Sequence, residues 1–485
     1  MPHPPVDVVI IGGGIVGASL AFCLSALHGT STVVLERDAL ASEATGLSAG
    51  TIWNVGSNTD GSSLGALLCD QTVRLLREVE RRGHDCAFRA PGNLTIATDA
   101  AQLEWLRGTF ADQRARGFNV ELIDGAERVA ALEPALRGGS VIGALHYPLS
   151  GHVDPSAATV SFAAAAAQSG ATVLEGARVV AIERLQVSRI HRRVDADARG
   201  GRRRWCHALP EEEEEEEAAS AAPSSAKAEA PSPRFAVHTA RGDRIEARHV
   251  VIAAGVACAA VARLVDADLT VPVTAVRGQC WSTVAIDDDD DAEAAAPALC
   301  KVIFTTESRV QGWSTWSSRD DAHGIPEYCT HDAAGVQRTR HCYGRRTADG
   351  RIIFGGARVR CAEGDYSMSD AVFESNYAHV KEFLPCVGRH ELLGSWCGLM
   401  PFSMDGSPIV GELDGVDLPG VWLAAGFGPH GIMEGPGAMH FLAKVMMAGG
   451  GEGGRGLSAA HSARFAEIHP MRSGCCGRRG DEKKI

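Results

Sequence analysis

The chain lacks the features that would assign it to several broad classes. Its 14 cysteines include no C-x-x-C pair and follow no regular spacing, which argues against a disulfide scaffold or a zinc module and for reduced, buried thiols. No metal site is expected. No apolar run approaches the ~20 residues that a membrane-crossing helix needs, so no membrane span is expected. The stretch MPHPPVD at the start is too short ahead of the first strand to read as a signal or transit peptide, which makes the cytosol the default location, with a mitochondrial one as the other reading. Nothing supports nucleic-acid binding. An acidic docking surface is also missing, although the formal net charge is −13: Glu211–Glu217 contributes seven of these charges and Asp287–Asp291 five, so the rest of the chain is close to neutral. Like-charge runs of this kind read as solvated loops.

What is present fits an α/β enzyme of two or three domains: 485 residues, 45% hydrophobic, with 55 glycines. The most informative stretch is VDVVIIGGGIVGASLAFCLSALHGTSTVVLER, Val6 to Arg37. An unbroken apolar run ends at Gly12, apolar residues then recur at helical spacing from Val16 to Leu27, Gly29 stops the helix, and a β-branched strand follows. Gly12-x-Gly14-x-x-Gly17 occupies the first turn. There the first glycine permits a tight bend, the second lets a pyrophosphate approach the backbone, and the third lets helix and strand pack closely. Amide groups at the helix start, including those of Ile15 and Val16, face such phosphates. Glu36, beside Arg37 at the end of the second strand, suits the hydroxyls of an adenosine ribose without a 2′-phosphate. The pattern predicts a dinucleotide site and leaves NAD and FAD open.

Along the rest of the chain, a loop of small and hydroxyl residues (Ala41 to Asn58) precedes an amphipathic helix from Leu64 to about Gly83. A strand at Asn93–Thr98, a helix from about Asp99 to Arg116, a strand at Val120–Ile123 and a short helix closed by Glu133-Pro134 follow. Asp154-Pro155 opens an alanine-rich helix as N-cap and first turn. Strands are expected at Thr172–Leu174, Arg178–Ile182 and Arg248–Gly255, and, toward the C-terminus, at Gly278–Thr283, Arg351–Val359 and Gly420–Ala425. A glycine-rich turn (Gly426–Gly437) and a helix (Ala438–Met447) come last. The stretch from Asp195 to Pro233 is arginine-rich, then polyglutamate, then alanine, serine and proline. It reads as a disordered insertion between two strands of a hairpin, and the acidic run at 286–298 reads the same way.

With these pieces in place the chain resembles the superfamily of FAD enzymes that includes D-amino-acid oxidase, glycine oxidase, sarcosine oxidase and dimethylglycine dehydrogenase. The resemblance rests on IIGGGIVG with Glu36, ATGLSAG (44–50), HVVIAAG (249–255), and the C-terminal pair GSWCGLMPFSMDGSPIVG (394–411) and LAAGFGPHGIMEGPG (423–437). It implies an α/β fold with a discontinuous FAD-binding, Rossmann-like domain of the GR2 type and an α+β substrate domain built on a large, mostly antiparallel sheet. The FAD domain is assigned to 1–87, 149–194, 234–265 and 388–450, the substrate domain to 88–148 and 266–387, the insertions to 195–233 and 286–298, and a poorly ordered tail to 451–485. A second glycine-rich turn near the C-terminus favours FAD over NAD, since there it serves the flavin ring, where charge accumulates on reduction.

Carried onto this chain, the resemblance implies that Gly12, Gly14, Ile15, Val16, Gly17, Glu36 and Arg37 hold the ADP half. Ser48, Ala49 and Gly50 lie along the pyrophosphate and ring, Val179 near the adenine, and Ala254 and Gly255 beside the phosphates. Gly398, Asp405, Gly426, Gly428, His430, Gly431 and Ile432 surround the ring and ribityl chain. The implied chemistry is hydride removal from the carbon next to an amine, from a small amine or amino acid, with oxygen, a quinone or an electron-transfer protein as acceptor. His430 is the titratable candidate beside the flavin, and Arg358, Arg277 and Tyr343 are candidate substrate anchors. Two departures stand out. Met400 replaces an arginine that clamps a substrate carboxylate in glycine oxidase-like members, so secondary or tertiary amines, or amino acids with the carboxylate held elsewhere, are expected over glycine and simple D-amino acids. Asn54, in Ile52-Trp53-Asn54, replaces a flavin-linked histidine, and Cys397 stands near the position where sarcosine oxidases join the flavin to a cysteine. The rival reading is an FAD-binding, assembly-factor-like partner protein of the same fold with little catalytic activity.

Overall fold

The computed structural model describes residues 3–56, 63–185, 234–285, 298–306, 329–331, 337–339, 342–413, 418–448, 467–469 and 476–478. Two eight-stranded sheets organise it. In the first, strand β1 (Val6–Ile11) lies at the centre between β2 (Thr32–Leu35) and the Arg244–Ile252 strand, with Thr172–Leu174 outside β2 and Val421–Ala425 outside Arg244–Ile252, all parallel. Helices cover it, so β1 is apolar on both faces: Val8, Val9 and Ile10 are fully buried. Ile409–Glu412 closes one edge antiparallel. The strands Val179–Arg184 and Phe235–Thr239 pair antiparallel, as expected for a hairpin on either side of the 195–233 insertion. That insertion, the stretch at 286–297 and most of the tail lie outside the described residues.

In the second sheet the order is Leu392–Ser403, Val273–Thr283, Ile352–Arg360, Tyr343–Arg346, Val302–Thr305, Asn93–Ala97, Gly143–Tyr147, Glu121–Asp124. Every neighbouring pair is antiparallel except Val302–Thr305 with Asn93–Ala97. The mixed α/β class with one large, mostly antiparallel sheet therefore matches the sequence expectation.

Caps fall where the side chains dictate. Ser63, Asp99 and Asp154 each accept a hydrogen bond from the backbone three residues on, opening the helices α2 (Leu64–Arg81), Ala100–Ala115 and Pro155–Gln168. The first helix, α1 (Ile15–Phe22), ends in a π-helical turn, Cys23–Leu27, rather than continuing regularly.

One strand bears on the domain division, and one helix start needs correction. The Leu392–Ser403 strand, assigned from sequence to the 388–450 segment of the first domain, pairs along its length with Val273–Thr283 in the second sheet, and the chain re-enters the first sheet only at Ile409. The last helix starts at Gly431, not at Ala438. Glycines 435 and 437 are not turn residues: a Cβ on Gly437 would lie 2.1 Å from the Leu68 carbonyl of α2, and one on Gly435 would lie 3.1 Å from Val16 of α1. Their lack of a side chain lets the last helix sit directly on α1 and α2, and Gly437 N–H donates to Thr72 Oγ1 at 2.9 Å.

Candidate functional site

The three motif glycines do three different jobs. Gly12 has φ +119°, and a Cβ there would lie 2.3 Å from the Ala253 carbonyl oxygen on the neighbouring strand, so only glycine makes this bend. A Cβ on Gly17 would lie 1.9 Å from the Gly12 carbonyl, so Gly17 seats α1 on β1 and does not line the cavity beside them. Gly14 does line it, and a Cβ there would meet only Thr45 Oγ1, at 3.1 Å. Thr45 also accepts from Ile15 N–H at 3.2 Å, tying the loop 41–50 to the helix start. Glu36 accepts from Gly13 N–H at 2.7 Å with one oxygen and from Asp38 N–H at 2.8 Å with the other, which fixes it across the mouth of the glycine turn.

These groups form one end of a cavity of about 980 Å³, at the upper end of the ~300–1,000 Å³ typical of ligand pockets. A dinucleotide fits the residues present: a glycine cradle that a side chain would fill, a carboxylate at the end of β2, and a continuous channel from there to the second glycine-rich turn. Ile15, Val16, Arg37, Ser48, Ala49, Gly50, Val179, Ala254 and Gly255 all line that channel.

The second turn follows Val421–Ala425. Gly426 and Gly428 adopt φ +71° and +52°, and the chain passes through a short 3-10 segment into the Gly431–Met447 helix. Gly428, His430, Gly431, Ile432 and Asp405 line the cavity; Gly426 instead packs against Ser403 and Ile409. Gly398, also lining, abuts Leu47, and Trp396 Nε1–H donates to the Leu47 carbonyl at 3.0 Å, so the loop 41–50 is docked on the second sheet. From the same sheet the guanidinium of Arg345 donates to the Ala49 carbonyl. Burial pulls the Arg345 pKa down to about 10, which leaves it charged at neutral pH.

The second sheet contributes lining residues from seven neighbouring strands: Gly398, Gly278, Arg358, Tyr343, Phe304, Thr95 and Tyr147. Gly278 pairs with both Gly398 and Arg358, so two glycines open a space beside one guanidinium. Burial pushes the Tyr343 phenol well above its ordinary value, keeping it a neutral hydroxyl. Met400 lines the cavity as expected. Arg277 does not: its guanidinium pairs with Asp365 at 3.1 Å and donates to Ser367, away from the cavity, because it stands one residue out of phase with Gly278 on an alternating strand. Cys397 is out of phase with Gly398 in the same way, and its Sγ donates to the Tyr366 carbonyl at 3.0 Å. Asn54 is a buried loop residue, its N–H on Ser150 Oγ at 2.8 Å and its Oδ1 accepting from Gly56 N–H at 2.9 Å.

Sequence reasoning missed Arg345 and Glu434. Glu434 lines the cavity with its side chain 13% exposed, its Oε1 3.4 Å from His430 Nδ1, and burial pushes its pKa up to about 7. One acid inside an apolar, glycine-rich segment was the available signal. Arg345 gave none, since the strand register that buries it is a long-range property. Among the described residues no cluster of His, Cys, Asp and Glu could hold a metal ion, and no helix is long and apolar enough to cross a membrane.

A family model described as FAD dependent oxidoreductase (DAO) matches residues 7–208 and 308–444. The 4-methylaminobutanoate oxidase (formaldehyde-forming) of Paenarthrobacter nicotinovorans is 32% identical over 176 residues, 36% of this chain and 21% of that protein. The mitochondrial sarcosine dehydrogenase of Homo sapiens is 24% identical over 448 residues, 91% of this chain and 40% of that protein. The chain thus spans a fifth to two-fifths of the length of these relatives. A solved glycine oxidase from Bacillus cereus superposes with a TM-score of 0.65 at 20% identity, covering 91% of this chain and 95% of its own, which is a likeness of fold. The chain belongs to the DAO family of FAD dependent oxidoreductases, and FAD is its cofactor.

Proposed function

We propose that the chain oxidises the C–N bond of an amine or N-substituted amino acid. The observation that carries this reading is a single cavity into which both glycine-rich turns open and which continues past Gly398 and Gly278 to Arg358 and Tyr343. FAD, when bound, supplies the acceptor for a hydride leaving the carbon next to nitrogen. On this reading Gly12, Gly14 and the start of α1 hold the pyrophosphate, Glu36 the ribose, and Gly398, Gly431 and Ile432 the ring end. The N-terminus of the 17-residue Gly431–Met447 helix puts the positive end of its dipole where negative charge collects.

The protein's other work is positioning and exclusion of water. Arg358 takes the substrate carboxylate in place of the clamp that Met400 cannot provide. Tyr343, held neutral, offers a hydroxyl to the amine without competing as an anion. No protein base is required if the amine arrives neutral. The partner-protein reading draws no support from an elongated cavity with a guanidinium at its middle. The test is anaerobic mixing of the FAD-loaded protein with a panel of amines and N-methylated amino acids. Loss of the visible flavin absorbance with formation of the carbonyl product is expected. If dithionite bleaches the flavin and no amine does, the reading fails.

A further inference from the structure

The cavity runs well beyond what a small amine needs. From the strand of Arg358 to that of Tyr147 there are four strand spacings, ~19 Å at ~4.8 Å each, whereas N-methylglycine is only about two residues' length of chain, ~7 Å. The far part is walled by aromatic rings. Phe304 and Tyr343, opposite each other on adjacent strands, stack with centroids 6.2 Å apart, and Trp53 meets Tyr147 edge-on at 5.9 Å. Trp105, on the Ala100–Ala115 helix, lines the same end. Among the described residues lining this end none is charged beyond Arg358. A flat apolar group seated here gains ring contacts from several sides, and Thr95, Thr109 and Gln113 supply the polar part of the wall.

We propose that this end of the cavity binds an aromatic substituent, so that the preferred substrate is an aryl-bearing amino acid or N-methylated derivative whose carboxylate rests on Arg358. The assignment rests on the C–N oxidation reading for its chemistry but not for its binding site, and the two are tested separately. First, the FAD-loaded protein is titrated with two carboxylates that cannot be oxidised there, acetate and phenylacetate, following the visible flavin spectrum. Phenylacetate is expected to bind about tenfold tighter or better. Trp105→Ala is expected to bring that ratio toward one at unchanged flavin content, and Trp105→Phe to keep most of it. Equal binding of the two acids, or a ratio indifferent to Trp105→Ala, overturns the proposal. Second, both enantiomers of N-methylphenylalanine are compared with N-methylglycine in anaerobic flavin reduction. Preference for an aryl substrate by tenfold or more supports the chamber; equal or better reduction by N-methylglycine overturns it while leaving C–N oxidation standing. Tighter phenylacetate binding with no reduction by any amine leaves the chamber standing and removes the oxidation reading.

Discussion

The two ends of the cavity are built in different ways. The end at β1 is centred on backbone: the lining glycines Gly12 and Gly14, the start of α1 that Gly17 seats, and the Glu36 carboxylate come from 31 consecutive positions, Val6 to Glu36. The end at the second sheet is made of side chains, and its lining residues come from seven strands whose neighbours are set by long-range pairing. A backbone site leaves its mark in sequence because only glycine permits the φ of Gly12 and the contact of Gly17. A side-chain site leaves almost none, because whether Arg277 or Arg358 faces the cavity depends on strand phase, and one residue of phase reverses it. Backbone sites should therefore fail completely on substitution, and side-chain sites should fail by degrees.

The largest effect follows from filling the backbone end. Gly14→Val puts a branched side chain into the cradle beside Thr45, and an overpacking cost of about 3 kcal/mol corresponds to a loss of ~100-fold or more in flavin affinity. Protein purified without colour is the expected result; full flavin occupancy would mean that the turn does not hold the cofactor.

At the other end, Arg358→Ala should keep its flavin and lose ~1.5–3 kcal/mol of carboxylate recognition, one to two orders of magnitude in kcat/KM for an acidic substrate. Arg277→Ala should change it by less than about threefold, since its guanidinium is spent on Asp365 and Ser367. The reverse ranking, measured by steady-state kinetics with one N-methylated amino acid, would exchange the roles of the two arginines.

Glu434 lines the cavity, and its effect depends on pH. Its folded pKa, about 7, lies above the 4.5 of an exposed glutamate, so its contribution to stability is fully present below about pH 4.5 and is lost as pH rises through 7. Among the described residues, the titratable groups facing it include His430, at the N-cap of its helix, and Cys69 on α2. Glu434→Gln should therefore match the parent near pH 4.5 and exceed it by roughly 1–3 kcal/mol at pH 8. Thermal melts across that range check the sign; an advantage that shrinks with rising pH would show that the carboxylate is compensated by a charge. A modest loss of stability, about 1 kcal/mol, is expected for Cys397→Ala from a lost Sγ–H bond to the Tyr366 carbonyl. In the parent protein, acid precipitation should leave the yellow colour in the supernatant.

The same division explains which expectations held. The first strand, its helix, the helix start near Asp99, the cap at Asp154 and the hairpin across the 195–233 insertion were readable from local patterns. The motif GSWCGLMPFSMDGSPIVG did not reveal its division between sheets, because it spans two strands of two sheets with only Met404–Pro408 between them. The last helix was started seven residues late because glycine reads as a turn signal, whereas Gly435 and Gly437 serve close helix packing. Arg345, holding the Ala49 carbonyl from the second sheet, had no sequence signal at all.

The most direct test of the divided cavity is a crystal structure of the protein with FAD bound. The pyrophosphate is expected against Gly14 and the start of α1, the ribose at Glu36, and the ring between Gly398 and Gly431 with Arg358 and Tyr343 beyond it. A flavin ring seated at Val179 and Arg37, or a cofactor lying outside the cavity altogether, would contradict it.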